Sequence, residues 1–244
     1  LPSEMPEKPK LRRIIPGEDQ IVPVSQKRSI IAKRLSESKF TAPHYYVKIS
    51  VNMESIVKTR QNFNQAHNVK ISMNAILLKF VAEALKKHPM VNASWQGESI
   101  VKFGRIDIGL AVAQEDGLIT PVVRNAVNKS ILEIDGELKV LIEKARSNRL
   151  QPEEYKDATF TISNLGSYGI EEFSAIINPP GSAILAVGTI LKLPVVDENG
   201  QIIIQQITKL NLSCDHRVID GVVSAAFMKD LKNLMEMPLL LFIE

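Results

Sequence analysis

The 244-residue sequence holds a single cysteine, a single tryptophan and four histidines, and aromatic residues make up only 5% of it. One cysteine, Cys214, excludes an intrachain disulfide and points to a reducing compartment. No apolar run approaches the roughly 18–20 residues that cross a bilayer, and the stretch at 239–243 is far too short. Neither charge sign dominates. The 30 Lys and Arg against 27 Asp and Glu leave a net charge of +3, too small an excess to imply nucleic acid and most simply read as solvated surface. A GxxxxGKS/T phosphate loop, a GxGxxG fingerprint, an HExxH helix and paired zinc-spaced cysteines are all missing. His44, His67 and His88 lie far apart with no ligand-like spacing, so nothing supports a metal site.

What is present is ordinary globular composition, 45% hydrophobic and 23% charged, in a chain long enough for one large domain or two modest ones. Residues 1–20 are rich in proline and charge and lack any period, which describes an extended linker or arm. The chain opens on Leu1 rather than Met and reads as a fragment. Residues 21–244 then form the folded domain.

Ser25 is placed to cap a helix through Ile30, Ile31 and Leu35 that ends before Pro43. Alternating Tyr45, Val47, Ile49, Val51 and Met53 predict a half-buried strand, and Ile56, Val57 and Phe63 a second helix. Ser72 opens a strongly apolar helix that Pro89 stops, with His88 in its last turn as a structural residue. Residues 91–123 read as two hairpins, one turning at Gly97 and one at Glu115-Asp116-Gly117 after the alternation Ile106, Ile108, Leu110, Val112. A helix is predicted over roughly 130–148, strands at 158–163, 183–189 and 201–213, and a closing helix from Val222 to near Pro238. Asn199-Gly200 marks a hairpin turn before the third of those strands. Helices and hairpins without regular βαβ alternation imply an α+β fold.

The segment Cys214-Asp215-His216-Arg217-Val218-Ile219-Asp220-Gly221 carries the most chemistry. His216 stands at a strand's end, four residues before an Asp-Gly that opens a helix. A neutral imidazole there can take a proton from a thiol, a step worth ~10²–10⁴ in rate. The plainer reading makes Asp220 an N-cap and His216 a half-buried side chain. Cys214 as a nucleophile beside His216 is disfavoured, because residues two apart on a strand are separated by roughly 6.5–7 Å. Packing accounts better for that thiol. Ser163, where a strand gives way to a Gly-containing turn, has a hydroxyl able to serve an oxyanion, against the alternative of ordinary turn chemistry.

These pieces, in this order, resemble the catalytic domain of the dihydrolipoamide acyltransferases of 2-oxo acid dehydrogenase complexes, over roughly residues 21–244. The carrying segments are 213–221, Thr161-Ile162-Ser163-Asn164-Leu165-Gly166, Gly117-Leu118-Ile119-Thr120-Pro121-Val122-Val123, and the helix at 27–38 followed by Pro43-His44-Tyr45. Chloramphenicol acetyltransferase is similar around HxxxDG alone. The resemblance implies a two-layer α/β sandwich with a mixed sheet, and homotrimers joined into a hollow cube or dodecahedron. It implies transfer of an acyl group between the lipoyl thiol of dihydrolipoamide and coenzyme A, with no metal and with the lipoyl group on a separate domain. His216 would be the base and Ser163 the oxyanion donor, from different chains. Asp220 would support the loop aiming His216, with Arg28 as its ionic partner and Gly221 beside it. Which residues hold the coenzyme A phosphates stays open.

The stretch from Ser167 to Ile170 and from Phe173 to Pro180 is similar to pyruvate-type members, which implies acetyl as the acyl group. The decarboxylase and dihydrolipoamide dehydrogenase components would be partners through upstream domains, in a bacterial cytoplasm or a mitochondrial matrix. The apolar residues 238–243 are expected to fill a pocket on an adjacent trimer, or else to cover this chain's own core. Two other readings stand beside this one: a stand-alone coenzyme A-dependent acetyltransferase acting on a small alcohol or amine, and an inactive scaffold paralogue. The second should lack the base, whereas His216 is present.

Overall fold

The computed structural model describes residues 17, 19, 21–114 and 117–239. Five α-helices occur among these residues: α1 (Gln26–Thr41), α2 (Glu54–His67), α3 (Met73–Lys87), α4 (Ile131–Arg146) and α5 (Gly221–Glu236). The strands are β1 (His44–Asn52), β2 (Ala93–Trp95), β3 (Ile100–Lys102), β4 (Ile108–Leu110), β5 (Val112–Gln114), β6 (Gly117–Ile119), β7 (Val122–Val123), β8 (Phe160–Asn164), β9 (Ala183–Val187), β10 (Leu191–Val196) and β11 (Ile202–Asp215). The linker expected at 1–20 falls almost wholly outside the described residues.

Seven strands build one sheet in the order β1-β11-β9-β8-β4-β7, with β10 also paired to β11. The β8–β9 and β4–β8 pairs are parallel and the others antiparallel, so the sheet is mixed. Strands β9 and β10 lie end to end along one side of the long β11, with β1 on its other side.

Register divides the sheet into two unlike faces. Ile162, Leu185 and Leu212 stand in one row, and the rows on either side of it are Thr161–Ile184–Ser213 and Ser163–Ala186–Asn211. Because neighbours along a strand point to opposite faces, Phe160, Ile162, Leu185 and Leu212 are fully buried together in one core. The helix layer closes that core: Phe227 of α5 packs its ring 6.0 Å from Phe160, and α3 packs on both α4 and α5. Ser72 caps α3 and Ser130 forms a capping box with Glu133 on α4, which supplies the first-turn donors that a helix lacks internally.

The opposite face is polar and is covered by loop and by α1. Asn211 Nδ2 donates to Phe173 O at 2.9 Å and Ser213 Oγ to Ala175 O at 2.7 Å. Ser38 Oγ of α1 donates to Ile177 O at 2.6 Å, and Ile177 N donates to His44 Nε2 at 3.1 Å. The two-layer arrangement expected from the resemblance is therefore seen, and the second face is the one left for chemistry.

Three local expectations differ from what is observed. The alternation at 106–112 suggests one strand, but the chain leaves the main sheet at Ala111. Residues 108–110 pair with β7 and β8, and residues 112–114 form a separate hairpin with β6. All of 108–110 is buried, so alternation there is incidental to a strand enclosed on both sides. Strand β10 was not among the expected strands because Pro194 interrupts its pattern; it pairs only with β11, and proline is tolerated at such an edge. Finally, α1 is the capped helix expected, yet Ile30, Leu35 and Phe40 on it are exposed, Phe40 by 87%.

Candidate active site

His216 sits just past the end of β11, in the turn that leads into α5. Its backbone N donates to Pro43 O at 3.1 Å, and its ring packs 4.6 Å from the Tyr45 ring. The side chain is 54% exposed, so it is held at its root while its tip is available. Asp220 is the N-cap residue of α5, but its side chain makes no capping bond. Its Oδ1 lies 3.9 Å from His216 Nδ1, beyond hydrogen-bond reach.

The turn that presents His216 is held instead by Asp215. Its backbone O accepts from Val218 N and Ile219 N, both at 3.0 Å. Its carboxylate accepts from Arg217 N and Nε at 3.0 Å and from Arg217 Nη2 at 2.7 Å. That bidentate pair raises the Arg217 guanidinium above its ordinary value through the hydrogen bonds to Asp215. Sequence reasoning assigned the supporting role to Asp220 and passed over Asp215 and Arg217; the adjacency of Asp and Arg around the histidine was the available signal.

Ser163 lies near the end of β8 on the polar face, buried to 9% exposure. Among the described residues its hydroxyl makes no hydrogen bond, and it lines a groove of about 820 Å³ together with Thr161, Ile184, Thr120, Ile176 and α1. That volume is in the range of small-molecule sites. Glycine shapes one wall. A Cβ at Gly109 would come within 2.5 Å of the Thr120 methyl, so glycine there leaves room for Thr120.

Within one chain the two groups stand far apart. Ser163 is in register with Ala186 and Ala186 with Asn211. His216 lies five residues beyond Asn211 along the direction of β11, and at ~4.8 Å per strand and ~3.3 Å per residue the backbone separation is about 19 Å. The Arg28 guanidinium lies beside Gly117, in the hairpin whose Leu118 and Ile119 line the groove. It makes no ion pair with Asp220 inside the chain. Gly221 has open space where a Cβ would be, so nothing within one chain requires glycine there.

Cys214 fits the packing role. It is fully buried, and burial pushes its thiol up to about 12. Cys214→Ala is expected to leave turnover within about threefold of wild type, because a thiol so raised supplies essentially no thiolate at neutral pH; a loss beyond a hundredfold in a steady-state assay contradicts this. His88 is structural too, with Nε2 2.8 Å from Asp230 Oδ2 and its ring edge-on to Phe227 at 5.9 Å. Among the described residues no group of three or more His, Cys, Asp or Glu side chains is arranged to hold a metal ion, and no helix is long and apolar enough to cross a membrane.

Comparison with known proteins places this geometry. A curated relative, the dihydrolipoyllysine-residue acetyltransferase component of the pyruvate dehydrogenase complex of Rickettsia conorii, is 46% identical over 232 residues, covering 93% of this chain and 56% of its own length. The mitochondrial counterpart of Schizosaccharomyces pombe is 45% identical over 92% of this chain and 47% of its own. The chain thus spans about half the length of the curated relatives it matches.

Among solved structures, the dihydrolipoamide acetyltransferase of Azotobacter vinelandii superposes with a TM-score of 0.88 at 32% identity, over 95% of this chain and all of that one. In that protein a serine, a histidine and an asparagine were investigated for roles in the catalytic mechanism, the serine 52 residues before the histidine and the asparagine four after it. Here Ser163 precedes His216 by 53 residues, and Asp220 follows it by four. The cubic core of a pyruvate dehydrogenase multienzyme complex superposes equally well, at 0.88 and 33% identity over 98% of this chain and all of that one. Chloramphenicol acetyltransferase, at 13% identity and a TM-score of 0.53 over 88% of this chain and 99% of its own, shares the fold. The 2-oxoacid dehydrogenases acyltransferase (catalytic domain) model matches residues 16–243, and the chain belongs to that family.

Proposed function

We propose that this domain transfers an acetyl group between the lipoyl thiol of dihydrolipoamide and coenzyme A, as the catalytic core of a pyruvate dehydrogenase complex, at a site shared between two copies of the chain. The observation that carries the reading is the pair of half-sites at separate places on one chain: an unbonded Ser163 hydroxyl in a groove, and an accessible His216 about 19 Å away by strand spacing. Neither half is sufficient alone. A second copy that lays its His216 turn into the groove completes the site, and brings its Asp220 toward Arg28.

The reaction then follows from elementary chemistry. The imidazole of His216 takes the proton of the coenzyme A thiol, and the thiolate attacks the thioester carbonyl carbon of acetyl-dihydrolipoamide. Negative charge moves to the carbonyl oxygen, where Ser163 donates a hydrogen bond. The intermediate collapses with cleavage of the bond to the lipoyl sulfur, which recovers the proton from His216. No acyl-enzyme is required, because both substrates bring their own thiols.

The lipoyl group would arrive on a separate domain, and the decarboxylase and dihydrolipoamide dehydrogenase components would associate through other parts of the full protein. Relatives at this level are bacterial and mitochondrial, which agrees with a bacterial cytoplasm or a mitochondrial matrix. Exposed Ile30, Leu35 and Phe40 on α1 support burial against another copy. The tail at 238–243 lies mostly outside the described residues; Leu239 is 72% exposed. Its proposed role is to join trimers, so deleting 238–244 is expected to release free trimers in light scattering, and a large particle that survives the deletion contradicts it.

The test of the reaction offers purified protein free dihydrolipoamide and a panel of acyl-coenzyme A donors, with products identified by mass spectrometry. Acetyl-dihydrolipoamide is expected to form fastest. A preference for succinyl or branched acyl groups overturns the acetyl assignment. Absence of transfer to any thiol overturns the reaction class.

A further inference from the structure

Arg217 is anchored on more than its neighbour Asp215. The centre of its guanidinium lies 5.2 Å from the centroid of the Trp95 ring, while its Nε and Nη2 grip the Asp215 carboxylate, whose side chain is 5% exposed. The guanidinium thus lies over an indole and grips a carboxylate at the same time. Trp95 is the only tryptophan in the chain and ends β2, on the small β2–β3 hairpin outside the main sheet. That hairpin is registered to the His216 turn through one residue: Ser182 N donates to Ala93 O at 3.1 Å, and Asp215 N to Ser182 O at 2.9 Å.

We propose that Trp95 and Arg217 are positioning residues that aim His216, resting on the reading of His216 as the base. Three fixtures meet at the turn. Pro43 O holds the His216 amide and Tyr45 one face of its ring. Arg217, immediately after it in sequence and held over Trp95, stops the turn from rotating about the Asp215 anchor. Arginine is needed because its planar fork can bind a carboxylate with two nitrogens while its face stays on an aromatic ring. Lysine keeps the charge and loses both features. The indole supplies the wall against which the fork is pressed, and another aromatic ring can serve in its place.

The test compares Arg217→Lys, Trp95→Leu, Trp95→Phe and His216→Ala in the assembled protein, measuring kcat and KM for both thiol substrates, the denaturation midpoint and the emission of Trp95. Arg217→Lys and Trp95→Leu are each expected to lower kcat about tenfold to a hundredfold, the scale of a misaimed catalytic group. Neither should move KM more than about twofold, since neither residue lines the groove. Trp95→Phe retains most of the wild-type kcat. Arg217→Lys also changes the Trp95 emission, which has no other indole to confuse it. Wild-type kcat in Arg217→Lys and Trp95→Leu, with His216→Ala impaired, overturns the positioning role and leaves the base standing. An unimpaired His216→Ala overturns the base itself. A kcat loss that tracks a fallen midpoint and is not recovered by Trp95→Phe marks a purely structural role and overturns the proposal.

Discussion

His216→Ala is expected to slow acetyl transfer by ~10²–10⁴-fold, the worth of a positioned general base, while light scattering shows the assembly unchanged. The size of the effect follows from what remains in the vicinity. Cys214 is buried with its thiol pushed up to about 12, and burial raises the Tyr45 hydroxyl above its ordinary value, so neither can accept a proton near neutral pH. Asp220 is 82% exposed, and carboxylates in general are weak bases for a thiol. The imidazole itself is half exposed, and its ring rests on the partly buried Tyr45 at the edge of the core, which is why its removal leaves the fold alone. Near-wild-type turnover in a steady-state assay with acetyl-coenzyme A and dihydrolipoamide excludes His216 as the base.

Ser163→Ala is expected to lower kcat by ~10²–10³-fold, the typical cost of one oxyanion donor, with KM changed by no more than about threefold. The split between the two constants is the informative part. A ground-state thioester oxygen carries little charge, so the hydroxyl contributes mainly once charge has built up, and such an interaction appears in kcat rather than in KM. Stability should not fall, because the hydroxyl has no hydrogen-bond partner among the described residues to lose. A loss confined to KM turns Ser163 into a binding residue and contradicts the oxyanion role.

How far the molecule could be read before folding varied along the chain for physical reasons. Helices α3 and α4 bury their apolar stripes, and α5 buries Phe227, Leu231 and Leu234 while its expected Val222 is exposed; their serine or Asp-Gly starts stand where expected. Strands β1 and β11 were legible because long alternation survives at a sheet with two unlike faces. The passage around residues 106–119 was not, since Ala111 leaves the sheet only because β8, about fifty residues later, pairs with 108–110. Helix α1 leaves its apolar Ile30, Leu35 and Phe40 exposed among the described residues. The site divides in the same way. His216 and Ser163 stood out by motif and strand-end position. The Trp95–Arg217 contact joins residues more than a hundred positions apart through a hairpin, and no local pattern announces it.

The register of β8, β9 and β11 makes a strong demand on mechanism. If His216 and Ser163 work on one thioester, they must come from different copies, because the sheet between them is a rigid, fully paired spacer. A helix layer with a buried core on the other face leaves no path for the chain to fold one toward the other.

Producing His216→Ala and Ser163→Ala chains together in equal amounts tests that demand most directly. With sites shared between copies, an interface formed by the intact serine of one variant and the intact histidine of the other is whole, and random mixing at a heterologous contact makes about a quarter of interfaces so. Turnover near a quarter of wild type, from two variants each nearly inactive alone, is the result predicted. Turnover no higher than the average of the two variants contradicts a shared site.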